Sequence, residues 1–498
     1  VRFLPRPPPS IFVHRYLKIN LLQFFMVKKI GLVWLRDDFR LKKNHALIEA
    51  TSKHDQVVAF FLYKKQKFND QEAQRWWLSE SLKEFRKKLI NLNINLEVII
   101  TDTYKSFFKK LFSKKNYSIY WNRIYEPNYL KFDEFLIENF QNSDAKFKIF
   151  KGNILNEFSE VKKNDGKPFK VFTPYWRNAE KFYLEKIPSK DKKISKCEKK
   201  ISFFNKTIDE KEICPKKKWY KKFEEHWSPS EENAIKELKK FINNKLENYS
   251  EARNFPNIQG TSKLSPFIKH GQLHVETIWE ECNKNKNRGF GKFLAEIGWR
   301  EFNHSLINFF PHMLKENYSK KFDKFPWEKN SKFLNAWKRG LTGYPIVDAG
   351  MRELNSTGWM HNRVRMIVGS FLVKHLLINW VEGEKYFRNS LLDYNEANCK
   401  VEDAVVGKGK ERLMQVKGKD IINIVPPVPD PVERERIWNT VVQTKEVVRT
   451  QCFYHPTSSA LVDYWSVNDE SNKFQDRVDL TKHASIATGQ VYRQNEQS

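Results

Sequence analysis

Three short stretches carry residue types that could do chemistry together. In FLAEIGWREF, Glu296, Trp299 and Arg300 fall at i, i+3 and i+4, the spacing of one helical face. A carboxylate, a flat ring and a guanidinium on one face is an unusual set for plain core, where the plainer reading is a partly buried Glu–Arg pair beside a core Trp. In STGWMHNRVRM, Trp359, Asn362, Arg363 and Met366 fall at i, i+3, i+4 and i+7, a second stripe. Asn both donates and accepts, as the edge of a heterocycle requires, and Met offers a soft apolar contact. In YSEARNFPNIQGTSKLSP, Gly260, Thr261, Ser262, Ser265 and Pro266 make a small, hydroxyl-rich loop. Ser265 before Pro266 reads as an N-cap followed by a first helical residue, with free N–H groups and hydroxyls suited to a pyrophosphate. Each stretch alone is better read as an amphipathic core helix or an ordinary cap.

The elements that must position them divide the chain. Residues 27–155 alternate apolar runs with helical stretches such as EAQRWWLSESLKEFRKKLINL. IGLVWLR, QVVAFFLY, NLEVIIT and YSIYWNR read as buried strands, which predicts an α/β domain with a parallel, Rossmann-like sheet. No GxGxxG follows the first strand, so the usual dinucleotide fingerprint is absent. Residues 156–225 are Lys-rich and weakly periodic, and read as a long connector over the surface. Residues 226–398 are aromatic-rich with helical periodicity and no strand run, and predict an all-helical domain. Residues 1–25 hold four basic residues and no acidic one, and read as translated upstream sequence with Met26 the start, or as a transit peptide that the Pro cluster suits badly. Residues 399–498 form a neutral tail with 14 basic and 14 acidic residues and only Phe453 and Phe474 of the 39 Phe. That break reads as a reading-frame or gene-model junction, or as a flexible extension.

Composition narrows the partners. The 498-residue chain carries a formal charge of +29, all of it before the tail, which points to a polyanion such as nucleic acid or to a Lys-rich solvated surface. No run of 18 uncharged apolar residues predicts a membrane span. Five Cys, with no CxxC pair and no zinc-type Cys/His spacing, imply a reducing compartment and no metal centre.

The three stretches stand in the order and spacing of the photolyase/cryptochrome family. WLRDDFRLKKNHAL, WNRIYEP, VFTPYWR and LTGYPIVDAGMRELNSTGWMHNRVRM resemble its segments over residues 27–398. The resemblance implies an antenna domain joined to a helical FAD-binding domain. Tyr249, Thr261, Ser262, Leu264 and Ser265 would contact the phosphate and ribitol parts of FAD; Glu296, Arg300, Trp359, Asn362, Arg365 and Asp393 would continue the pocket, with Arg365 and Asp393 an ion pair near the isoalloxazine. Glu296 and Asn362 would hydrogen-bond a pyrimidine dimer while Trp299 and Met366 pack on it. Arg253, Arg300 and Arg363 would face DNA phosphates. Trp327 and Trp380 resemble outer and middle members of an electron-relay chain. Met366, where six-four enzymes usually carry His, favours cyclobutane dimers. The implied partner is UV-damaged DNA bound by a monomer, and the implied compartment is the cytoplasm, or the nucleus or an organelle in a eukaryote, without secretion.

The resemblance stops near residue 398. After LLDYNEAN the family's closely spaced Trp pair does not follow, Asn395 stands where Asp is common, and Cys399 falls near the expected flavin N5 position. Trp438 and Trp465 lie in unrelated contexts. His375 stands where Asp is frequent. Asn128 and Tyr129 replace the family's folate-binding Glu, which leaves a folate, a deazaflavin or no antenna. A photolyase, a cryptochrome-like photoreceptor and an inactive truncated product remain the readings.

Overall fold

A computed structural model describes residues 30–398, apart from 115, 141–145, 185–191, 285–286 and 315–326. Cys399 and both terminal segments, residues 1–25 and 399–498, lie outside the described residues.

The four apolar runs are strands β1 (Ile30–Leu35), β2 (Val57–Tyr63), β3 (Asn95–Ile100) and β4 (Tyr117–Asn122). A fifth, β5 (Lys146–Phe150), completes a parallel sheet of order β3-β2-β1-β4-β5. The alternation of a strand sends Val33, Leu35, Ala59 and Phe61 to one face, and Leu32, Trp34, Phe60 and Leu62 to the other. Both faces are covered by helices, so the central strands need continuous apolar sequence. In KFKIF, β5 alternates Lys with Phe because it is a half-exposed edge, and that pattern hides it among Lys-rich helices.

Helices α1 (His45–Lys53), α2 (Glu72–Ile90), α3 (Tyr104–Phe112) and α4 (Pro127–Phe140) cover the sheet. The second of these belongs to two cores. Leu78, Leu82, Phe85 and Leu89 pack on the sheet, whereas Trp76 and Trp77 enter the core of the helical domain. Trp77 Nε1 donates to Gln272 Oε1 at 3.0 Å across that boundary.

Residues 156–225 are not the bare surface crossing expected. They contain α5 (Phe172–Leu184) and two 3-10 turns, Glu210–Ile213 and Trp219–Glu225. Phe169, Tyr175 and Ala179 pack with Phe302 and Leu306, Ile213 enters the sheet core, and Phe223 is fully buried in the helical core. Sparse apolar anchors in a Lys-rich background give no clean period, yet each fills a site that another element presents.

The helical domain follows with α6 (Glu231–Asn244), α7 (Val275–Lys284), α8 (Phe290–Phe309), α9 (Ser331–Arg339), α10 (Pro345–Thr357), α11 (Asn362–Ser370) and α12 (Trp380–Ser390), as the periodicity predicts. A π-helical turn, Phe371–His375, extends α11.

Candidate functional site

The middle of α8 forms one wall of a cavity of about 250 Å³. All eleven expected cofactor contacts line it: Tyr249, Thr261, Ser262, Leu264, Ser265, Glu296, Arg300, Trp359, Asn362, Arg365 and Asp393. They come from five separate segments that only the tertiary fold brings together. Arg253 and Trp299 line the cavity as well, but Arg363, Met366, Trp327 and Trp380 do not.

Asp393 organises one end. Its Oδ2 accepts from Arg365 Nη2 at 2.8 Å and from Ser265 Oγ at 2.6 Å, while Trp359 Nε1 donates to Ser265 Oγ at 3.3 Å. The other oxygen, Oδ1, is buried without a hydrogen-bond partner. Asn303 Oδ1, also in the cavity wall, is in the same state. Buried acceptors of this kind are costly unless a ligand donates to them. At the opposite end Arg253 pairs with Glu296 and lies over the Tyr249 ring, 5.4 Å from its centroid. Burial pushes the Tyr249 hydroxyl well above its ordinary value, so it stays a neutral donor.

The local chain paths correct three expectations. Ser265 is not an N-cap. Leu264 occupies that position of the short helix Ser265–Lys269, which leaves the Ser265 hydroxyl free to reach Asp393. The Trp359–Met366 stripe is not one helix. Gly358 closes α10 at φ +69°, His361 caps α11 by accepting from Arg363 N, and Trp359 lies in the turn between them. Trp359 and Asn362 therefore face the cavity while Met366, 46% exposed, and Arg363 stand outside, where Arg363 donates to Asn254 Oδ1 at 2.7 Å. Two of the three arginines expected to face DNA phosphates are turned inward. Arg253 is buried on Glu296, and Arg300 Nη1 donates to the Asn153 carbonyl at 2.8 Å, tying α8 to the α/β domain. Trp380 opens α12 and Trp327 precedes α9, both half-buried.

Sequence reading missed Lys263, Lys269, Asn303 and Asn398, which also line the cavity. Asn303 Nδ2 donates to Asn398 Oδ1 at 3.2 Å, Asn398 N to Asn395 Oδ1 at 3.1 Å, and Asn395 Nδ2 contacts His304 Nε2 at 3.2 Å. His304 Nδ1 contacts the Tyr125 carbonyl at 3.3 Å, which assigns the proton to that nitrogen and leaves Nε2 the acceptor. Burial drives the His304 pKa well below 6.5, so the ring is neutral. Asn303 sits seven residues from Glu296 on α8, a helical repeat that could have flagged it.

A larger cavity, about 580 Å³, opens where the carboxyl ends of β1–β4 meet the helical domain. Trp34, Tyr104, Tyr129 and Phe132 give it an aromatic wall, and Asn128, His270 and Arg388 a polar one. Lys269 borders both cavities and pairs with Asp37 at 3.0 Å.

Comparison with known proteins gives this architecture a family. Residues 31–192 match the family described as DNA photolyase, and residues 293–425 match the FAD binding domain of DNA photolyase. The chain is 36% identical to a deoxyribodipyrimidine photo-lyase of Agrobacterium fabrum over 373 residues, 74% of this chain and 78% of that protein. The chain belongs to the photolyase/cryptochrome family. Arabidopsis thaliana cryptochrome-2 is 32% identical over 73% of this chain and 63% of its own length. A class III photolyase from Agrobacterium tumefaciens superposes with a TM-score of 0.72 at 32% identity, covering 85% of this chain and 86% of its own. The two-domain layout is thus that of photolyases and cryptochromes, and the FAD-binding match runs past residue 398. No described helix is long and apolar enough to cross a membrane.

Proposed function

We propose that this chain repairs cyclobutane pyrimidine dimers in DNA with light, using FAD held in the α8 cavity. The observation that carries the reading is the pair of buried, unpartnered acceptors, Asp393 Oδ1 and Asn303 Oδ1, in a cavity whose rim carries the exposed Trp299. Those acceptors suit the N–H edge of a flavin or another donor, and the Thr261 and Ser262 hydroxyls with Lys263 suit its phosphates. Tyr249, Leu264, Ser265, Glu296, Arg300, Trp359, Asn362 and Arg365 complete the holding set. Held by these residues, reduced FAD would supply light-driven electron transfer to the dimer.

The chain's own groups do the rest. Arg365 neutralises Asp393 and fixes the orientation of its carboxylate. Arg253 holds Glu296 at the cavity edge, where with Asn362 it can hydrogen-bond the dimer's polar edge. Trp299 offers apolar contact at the rim and Met366 outside it, with Arg363 beside Met366 for a phosphate. The dimer leaves the base stack to reach this depth, as photolyases generally require. The basic surface engages phosphates without reading sequence. Trp327 and Trp380 are proposed as members of the electron relay that reduces the flavin. The larger cavity is proposed to take an antenna chromophore, because crevices at the carboxyl ends of parallel strands are where such sheets bind ligands. A folate and a deazaflavin both remain candidates for it, since Asn128 and Tyr129 stand there in place of an acid.

Two measurements on the purified chain test this. A structured flavin absorption band near one per chain is expected, together with loss of dimers from a dimer-bearing oligonucleotide under blue light and not in the dark. Flavin and DNA binding with dimers left intact would instead assign a photoreceptor, the reading that similarity to cryptochrome-2 supports. A colourless chain would assign an inactive product.

A further inference from the structure

We infer that Phe172, on α5, is a positioning residue that sets the orientation of Trp299 for stacking a flipped base, an inference that rests on the repair reading above. Trp299 is 40% exposed at the cavity rim, and an indole so exposed would ordinarily sample several rotamers. Here one face is covered. The Phe172 ring lies parallel to it, with centroids 3.7 Å apart and planes 10° from coplanar. Phe172 is itself parallel to Trp176, four residues on and one helical turn away, at 6.2 Å and 8°. The edge of Phe302 closes on both Phe172 and Trp299, at 5.9 Å in each case.

The ladder is anchored at its base. Trp176 packs over Gly298, the residue before Trp299, so closely that a Cβ there would come within 2.1 Å of the ring. The same helix α5 therefore registers Gly298 through Trp176 and Trp299 through Phe172. Phe172 does not line the cavity whereas Trp299 does, so the covered side of the indole is turned away from it. The other face is left open at the rim of the cavity that Glu296 and Asn362 also line. A ring already ordered loses less rotamer freedom when a base stacks on it, which favours binding without adding a contact. The two residues before Phe172, Lys170 and Val171, are exposed, so the segment read from sequence as a plain connector reaches the rim of the site.

The test measures affinity of the purified full chain for a single-stranded oligonucleotide bearing one cyclobutane dimer and for its undamaged counterpart, by fluorescence anisotropy of a labelled strand in the dark. F172L keeps an apolar side chain in the same place but removes the flat face, and F172Y keeps the face. The expected result is a roughly 3- to 10-fold loss of dimer affinity in F172L, about 0.7–1.4 kcal/mol. Undamaged-strand affinity and melting temperature should stay unchanged, and F172Y should bind like the parent. Dimer affinity unchanged in F172L, an equal loss for both strands, or failure of F172Y to retain binding would each overturn the inference. A parent chain that does not prefer the dimer strand at all would overturn the repair reading itself, which separates the two failures.

Discussion

At the residue scale, the site depends on few groups whose states are set by burial. Asp393→Asn removes the negative charge that faces Arg365 and replaces one carboxylate oxygen by an amide group that cannot accept. Breaking a buried pair of this kind costs about 3–5 kcal/mol, so D393N should purify with little flavin and a lowered melting temperature, read from the visible absorption per chain and a thermal melt. Glu301, next to Arg300, is fully buried and accepts from Leu155 N and Asn156 N. Burial raises its pKa from 4.5 to about 7. A folded-state pKa above the unfolded one gives stability that is complete below about pH 4.5 and lost as the pH rises through 7. Glu353, raised to about 7, and Asp348, raised to about 6, act with the same sign. His270 and His361, both lowered to about 4 by burial, act oppositely, and their contribution is lost as pH falls from 6.5. Glu301→Gln is therefore expected to flatten the decline in unfolding free energy between pH 5 and 8, measured by urea titration at a series of pH values. An unaltered slope would show that Glu301 does not take up a proton in that window.

At the element scale, helix ends and one close helix contact decide where side chains point. Gly358 ends α10 in the left-handed region at φ +69°, and a Cβ there would come within 2.6 Å of Leu392. Gly358→Ala should cost about 1–3 kcal/mol and reduce flavin retention, because the turn carrying Trp359 must move; the checks are a thermal melt and the flavin content. Gly298→Ala should separate α5 from α8 at a similar cost. Both effects were invisible to periodicity. The Trp359–Met366 spacing reads as one stripe, but a left-handed cap and a His361 cap split it, so that half the set faces inward and half faces solvent. Ser265 departs from its expected N-cap place for a related reason: the five-residue helix begins one residue early, which turns the hydroxyl into a donor to Asp393.

At the scale of the whole molecule, an α/β sheet and a helical bundle are joined by α2, which gives one face to each core, and by Arg300, which reaches across to Asn153. The connector adds to both cores through Ile213 and Phe223. On this frame a charge of +29 predicts DNA binding that is mostly electrostatic. With about six phosphate contacts, affinity should fall roughly 1,000-fold between 50 and 200 mM salt. A salt titration of binding to undamaged duplex checks this, and a flat dependence would reduce the charge to a solvated surface.

Sequence alone determined the element types wherever a pattern was unbroken. Continuous apolar runs specified β1–β4 because both sheet faces are covered, and 3.6-residue periodicity specified the helices after residue 226. The family resemblance also named eleven residues that the fold gathers around one cavity. Tertiary structure decided what depends on a partner's position. It revealed β5, whose Lys and Phe alternation makes sense only at an exposed edge, and it paired Arg253 with Glu296 and turned Arg300 onto the Asn153 carbonyl. It also supplied Asn303, Asn398 and Phe172, whose roles arise from contacts between segments distant in the chain, which no local spacing records.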